Sequence, residues 1–271
     1  MKTTPIIAML LLAAAGCLGQ ETPARQDAIP AMDVDFVLKN AKPVLHEPLW
    51  ADLSVANNGT SDVTIDFGAN YIDDIHGSIT TPAGTKVEIR SPYQGGFAAI
   101  GKAKIAARQS WARTYLLNDW YDFSTPGRYE IALHVDALPD PKPLVIEIGP
   151  RDETKLKTVY AELLASASSR NAQVRLDSAR ALSLANDPAA VPSLVKLLAS
   201  SDGSAFARAA EGLARIADKA SIEALLAAAT DKDPFRRQTA AYHLQQARPR
   251  IDDRALLKRV DAAIGTSVSP H

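Results

Sequence analysis

The chain of 271 residues contains a single cysteine, Cys17. That excludes an internal disulfide and leaves no later thiol for catalysis, so stability must come from apolar cores. No hydrophobic run is long enough to cross a bilayer. The longest, Ile6 to Ala15, covers about ten residues, and a spanning helix needs roughly 20. Charge of one sign is also missing, with 30 basic against 31 acidic side chains. Basic residues are interleaved with acidic ones rather than gathered in a stripe, which argues against nucleic acid as a partner. Tryptophan is absent after Trp120. No G-x-S-x-G nucleophile elbow occurs, and the five histidines are scattered. These gaps lead to a non-enzymatic reading, with no catalytic residue, no cofactor and no metal.

What is present begins with an export signal. Lys2 supplies a positive end, and the run Ile6–Ala15 has the length of a signal core. Cleavage after Gly19 would place the small residues Cys17 and Gly19 at the required sites. Alternatively, Ala14-Ala15-Gly16-Cys17 resembles a bacterial lipobox, which would make Cys17 a lipidation site and a lipid anchor. Ala14 stands where that motif usually has leucine, so cleavage after Gly19 fits better. Either route implies a periplasmic or cell-envelope protein. Residues 1–19 are then a signal peptide and 20–31, rich in polar residues and proline, a flexible leader.

Residues 32–149 alternate with a period of two, as strands do. Asp33 to Leu38, Trp50 to Val55 and Val63 to Phe67 are the clearest runs. Asn57-Asn58-Gly59-Thr60 reads as a tight hairpin turn between the second and third. Further strands are expected at 76–81, 85–90, 110–117, 128–135 and 143–148. Seven or eight short strands with Gly, Pro and Asn turns indicate an antiparallel β-sandwich. Trp120 to Ile131 contains Pro126-Gly127 followed by Tyr129 at the head of a strand. That stretch resembles bacterial immunoglobulin-like domains. The resemblance implies a buried Tyr129 ring with its hydroxyl bound to backbone.

After Gly149-Pro150 the period changes to 3.6. Ala179-Arg180-Ala181-Leu182 aligns with Ala210-Glu211-Gly212-Leu213 and with Ala241-Tyr242-His243-Leu244, each 31 residues on. Leu163, Leu194, Leu225 and Leu256 share a column on the same offset, as do Ala167, Leu198, Ala229 and Val260. Asn171, Asp202 and Asp233 recur where a helix cap belongs. A fixed period of this length marks stacked helical units. Together with Asn171-Ala-Gln-Val-Arg175 and Asp233-Pro-Phe-Arg-Arg237, these columns resemble HEAT repeats of the short phycobilisome-lyase type. The Asp-to-Arg ladder of longer arrays is incomplete: Asp202 and Arg208 fit it, and Thr239 breaks it. Helices are expected at 152–168, 171–185, 189–199, 204–217, 220–229, 234–247 and 253–263. The fold class is therefore multidomain β + α: an Ig-like sandwich over 32–149, then a HEAT-like α-solenoid over 152–264. The solenoid would hold about three 31-residue repeats, and 265–271 would be a disordered tail.

Candidate chemistry is thin. Gly96 to Lys102 matches most of a phosphate-binding loop, but Ala103 stands where Ser or Thr should hold Mg²⁺, inside a strand pattern. Asp73, Asp74 and His76 could ligate a cation, and no second cluster completes the shell. Asp119 and Asp122 are better explained as turn residues than as a carboxylate pair. Some short-HEAT relatives act on bilin chromophores, yet no acid–base or nucleophile set accompanies the resemblance here. Binding is the stronger reading. Arg175, Arg180, Arg208, Arg215, Arg236 and Arg237 gather in the first helices of the repeats and could face an acidic partner. Tyr93 and Phe97 are candidates for an exposed loop contact. The chain is expected to be an exported adaptor or scaffold binding another protein through its solenoid. The alternative is a ligand-binding or inhibitor-like module acting through the sandwich loops. Residues 1–150 carry 12 basic and 17 acidic side chains, and 151–271 carry 18 and 14. The halves thus differ by −5 and +4, which favours an attractive interface between them.

Overall fold

A computed structural model describes residues 31–69, 74–89 and 101–267. The expected signal peptide, the leader up to residue 30, Cys17, Asp73, Tyr93, Phe97 and most of the phosphate-loop match lie outside the described residues.

The first half is antiparallel β structure. Its strands are β1 (Met32–Leu38), β2 (Trp50–Asn57), β3 (Val63–Asp66), β4 (Ile75–Thr80), β5 (Lys86–Glu88), β6 (Lys102–Ile105), β7 (Ser110–Leu116), β8 (Gly127–Val135) and β9 (Leu144–Ile148). They form three sheets of order β1-β2-β7, β3-β6 and β5-β4-β8-β9. The alternation read from sequence decides which side chains go inward. Ala51, Leu53 and Val55 of β2 are buried, and Tyr129, Ile131, Leu133 and Val135 of β8 share the same core. Phe67 stacks on Trp111 with ring centroids 4.4 Å apart. Tyr129 is fully buried and its hydroxyl donates to the Thr125 carbonyl at 2.8 Å.

Two expectations need correction here. β6 was not foreseen, because its four residues adjoin the glycine-rich stretch that masks its alternation. The Asn57–Thr60 turn is not a tight hairpin, because β2 pairs with β7 and β3 with β6. Asn57 instead buries its side chain, whose amide donates to the carbonyls of Ser61 and Ile105 at 2.8 and 3.1 Å. Trp50 lies on the face of β2 away from the buried Ala51, Leu53 and Val55, beside Leu116.

Gly77 in β4 sets the spacing to β8. A Cβ there would sit 2.3 Å from the Ala132 carbonyl oxygen. Gly77→Ala is therefore expected to lower stability by about 2–3 kcal/mol through overpacking. Urea unfolding measures it, and a loss below about 0.5 kcal/mol would mean the strands separate freely.

The second half is helical: α1 (Glu153–Ser166), α2 (Ala172–Leu184), α3 (Val191–Leu198), α4 (Gly203–Ile216), α5 (Lys219–Ala228), α6 (Pro234–Ala247) and α7 (Arg254–Ser267). The 31-residue spacing appears directly in the caps. Asn171, Asp202 and Asp233 each accept from the backbone N–H two residues on, at 2.9, 2.8 and 2.9 Å. Each such cap is worth roughly 1 kcal/mol. The repeated columns are core. Ala179, Ala210 and Ala241 are buried, as are Leu182, Leu213 and Leu244. Alanine lets α2, α4 and α6 stack closely, and Gly212 marks the tightest point. A Cβ on Gly212 would meet the Ser183 Cα at 3.0 Å and Leu194 at 2.9 Å. α7 runs on to Ser267, past Gly265 where a disordered tail was expected, because no proline or cap interrupts it.

The halves meet along α1. Tyr160 is fully buried in the helical core, and its hydroxyl donates to the His46 carbonyl at 2.8 Å. Lys155 reaches the buried Glu47 carboxylate at 2.7 Å and the Lys42 carbonyl at 3.0 Å. Val44 packs against the helical core. Arg151, two residues after Gly149, bonds Asp187 at 2.9 Å and ties the junction to the turn before α3.

Candidate protein-binding face

α2, α4 and α6 form one layer, and the repeat decides what this layer shows to solvent. On the 31-residue offset the outward columns are Gln173–Ser204–Phe235, Leu176–Ala207–Gln238, Asp177–Arg208–Thr239 and Arg180–Glu211–Tyr242. Leu176 and Tyr242 are large and about half exposed, at 49% and 57%. Between them lies a charged centre. Glu211 takes Arg208 at 2.8 Å, Arg215 at 3.7 Å and Arg180 at 3.8 Å.

Arg180 also crosses to the β half. Its Nε and Nη2 both lie 2.7 Å from a carboxylate oxygen of Asp119, in the 3-10 turn Leu117–Asp119 that follows β7. Burial pushes the Asp119 carboxyl above its ordinary value, against the opposing pull of Arg180. The charged centre is thus continuous with the strands. Two clefts flank it. One of about 370 Å³ lies between α2 and α4, lined by Gln173, Leu176, Asp177, Arg180, Ser204 and Arg208. The other, about 390 Å³, lies between β7 and α2, with Gln173, Asp177 and Arg180 in common.

The six arginines singled out from sequence divide into two groups. Arg180, Arg208 and Arg215 come together on this face. Arg175, Arg236 and Arg237 lie at the starts of α2 and α6; Arg175 and Arg237 close carbonyls of the turn just before their helix, and Arg236 closes carbonyls at the end of α3 and in the turn before α4. Arg175 donates to Ser169 O and Arg237 to Asp231 O, the same six-residue reach at equivalent positions. Arg236 donates to Leu198 O and Ser200 O at 2.6 and 2.7 Å, and its guanidinium lies 4.2 Å from the Phe206 ring. Sequence reasoning missed Leu176, Tyr242, Gln173 and Asp177. The signal was available, because the columns left over once the core columns are assigned are the outward ones.

His243 borders the centre on α6. Burial lowers its imidazole below the ordinary value of 6.5, with Glu211 opposing the shift and Arg208 adding to it. A base held below its unfolded value contributes stability above that value and loses it as pH falls through the folded one. Wild type should therefore lose melting temperature between pH 7.5 and 5 more steeply than His243→Gln. Equal slopes would show that His243 is not the titrating group.

Residues 160–245 match the family model described as HEAT repeats. The repeated helical segment is thus similar to HEAT repeats over those residues. No curated protein matches the chain. Among solved structures, a Listeria innocua β-glucosidase in complex with glucose matches at 12% identity and a TM-score of 0.28. It covers 44% of this chain and 16% of its own. An Erythrobacter marinus β-glucosidase matches at 13% identity and 0.27, covering 44% and 15%. A structural-genomics target, SoR45, matches at 15% identity and 0.26, covering 43% and 86%. The chain spans about a sixth of the length of these glucosidases. Likeness at this level bears on neither fold nor activity. Among the described residues, no helix is long and apolar enough to cross a membrane.

Proposed function

We propose that the chain is a non-enzymatic scaffold of the cell envelope that binds another protein through the outward face of α2, α4 and α6. HEAT repeats suggest a protein-interaction scaffold, and extended solenoid faces suit that use. The observation that carries the reading is the face itself: Leu176 and Tyr242 exposed on either side of the Arg180–Glu211–Arg208 centre, with a cleft between α2 and α4. In this reading α2 to α7 make three repeats led by α1, and the sheets, sharing one core, close as an Ig-like sandwich. Export rests on Lys2 and the apolar run Ile6–Ala15. A mature N-terminus at Gln20, or an acylated Cys17, supports it, and an intact Met1 in the protein recovered from cells sinks it.

A photo-crosslinking residue at position 176 or 242 tests the binding face. Both positions should trap the same protein, and position 195, exposed on α3, should not. Trapping from 195 alone, or only from Val37 and Val145 on the strands, would assign binding elsewhere.

A further inference from the structure

The cation ligands suggested by Asp73, Asp74 and His76 lacked a second half in the sequence, and the sheet supplies it. β4 and β8 run antiparallel, and His76 falls directly opposite His134. The register decides how close they come. Ile89 N–H donates to Gly77 O and Thr81 N–H to Thr85 O, both at 2.9 Å. Odd-numbered residues of β4 therefore bond toward β5, and His76 exchanges its backbone bonds with His134. Such a pair has Cα atoms about 5.5 Å apart and both side chains on one face. That face is the outer one: His76 and His134 are exposed, while Ile75, Leu133 and Val135 beside them lie in the core.

His134 is prepared as a ligand. A carboxylate has no proton to donate, so the 2.7 Å bond between His134 Nδ1 and Asp140 makes Nδ1 the nitrogen that carries hydrogen. Nε2 then faces Asp136, 3.3 Å away. In a neutral ring this nitrogen holds a lone pair, and a lone pair set against a carboxylate calls for a cation shared between them. The bond to Asp140, with the charge of Asp136 added, holds the His134 imidazole above its ordinary value of 6.5, the same preference for positive charge. A carboxylate on the second nitrogen is what metal-binding histidines generally have, because it fixes the tautomer and makes the other nitrogen more basic. Asp74 takes no part: its carboxylate turns to Gly68, where an added Cβ would meet Oδ1 at 2.9 Å. Among the described residues no three metal-binding side chains converge on one point. The imidazole pair is therefore the protein's share of the shell, and water fills the rest.

We infer that His76 and His134 hold a divalent cation of the Zn²⁺ class across the β4–β8 pair, with Asp140 orienting His134 and Asp136 balancing the charge. Imidazole nitrogen suits such an ion, whereas Mg²⁺ takes oxygen. Tetrahedral Zn²⁺ with Zn–N of about 2.0–2.1 Å needs its two nitrogens about 3.3 Å apart. Rings carried on Cα atoms about 5.5 Å apart can reach that separation by χ1 and χ2 rotation. The ion would clip two strands and leave α2, α4 and α6 untouched, so this inference and the helical binding face stand or fall separately.

The probe is Zn²⁺ alone, titrated calorimetrically into the full chain after chelator treatment, with Mg²⁺ as the comparison. Saturable binding of one Zn²⁺ per chain is expected, and none of Mg²⁺. His76→Gln and His134→Gln alter exposed positions and should keep the fold, which circular dichroism checks. Because the second imidazole binds intramolecularly, either variant should weaken Zn²⁺ by about tenfold or more. Asp140→Ala touches no metal and should still weaken it about tenfold, through the lost orientation of His134. Zn²⁺ binds only the paired strands, so it should raise the melting temperature of wild type and leave that of the His76→Gln, His134→Gln double variant unchanged.

No saturable binding of Zn²⁺ overturns the inference. Binding that survives in the double variant also overturns it, because the ion then sits on other side chains, and so does equal affinity for Mg²⁺. Wild-type affinity in Asp140→Ala would remove the orienting role given to that residue.

Discussion

Replacing Tyr160 with alanine lowers the stability of the full chain by about 3–5 kcal/mol, the cost of emptying a large buried aromatic site. Tyr160 has no exposed surface and packs in the helical core. Its hydroxyl also holds the His46 carbonyl, the bond that joins α1 to the loop between β1 and β2. Tyr160→Phe keeps the packing and removes only that bond, so it should cost about 1 kcal/mol. The ratio between the two, read from urea unfolding, separates packing from the hydrogen bond. Equal losses would mean that the bond to His46, and not the ring, holds the junction.

The second large effect is at Arg151. Asp187 is buried, with 1% of its side chain exposed, and Arg151 is its counter-charge. Burial pushes the Asp187 carboxyl up, and the Arg151 guanidinium with the Ala189 N–H more than offsets this, holding it below the ordinary value. Arg151→Met leaves the carboxylate buried and unpaired, which costs about 3–5 kcal/mol. In the double variant Arg151→Met, Asp187→Asn the neutral amide can still accept from Ala189, and most of the loss should return. A carboxyl held below its unfolded value contributes stability above that value and loses it as pH falls. Wild type should therefore lose the Arg151–Asp187 contribution below about pH 4, and Arg151→Met should show a flatter acid limb. A double variant as unstable as Arg151→Met would show that the arginine acts through packing instead.

The helical half was largely legible because its evidence is local and repeated. Caps, alanine columns and leucine columns recur at one offset, so each supports the others, and Asn171, Asp202 and Asp233 cap as the spacing requires. The β half was legible strand by strand and not in its pairing. Alternation says which face is buried and nothing about which strand lies alongside, so the Asn57–Thr60 turn suggested a hairpin where the chain changes sheet. β6 is too short to stand out beside glycine-rich sequence.

The site was half visible. A run of arginines records charge but not partner. Arg237 closes a carbonyl in the turn just before its helix and Arg236 closes carbonyls in the preceding repeat, whereas Arg180 finds Asp119 61 positions earlier in the chain. That long-range pairing, and the lining of the β7–α2 cleft, depend on how the two halves meet. The opposite net charges of the halves pointed to an interface without saying which residues form it.

The Arg180–Glu211 centre and its flanking clefts require the strands and helices to behave as one body, joined through Tyr160–His46, Lys155–Glu47 and Arg180–Asp119. Differential scanning calorimetry of the full chain, beside Gly77→Ala in the strands and Tyr160→Ala in the helices, measures this directly. A single transition that moves as a whole with either substitution is the expected result. Two transitions, of which Gly77→Ala shifts only one, would show that the halves unfold independently and that the cleft between β7 and α2 is not a fixed surface.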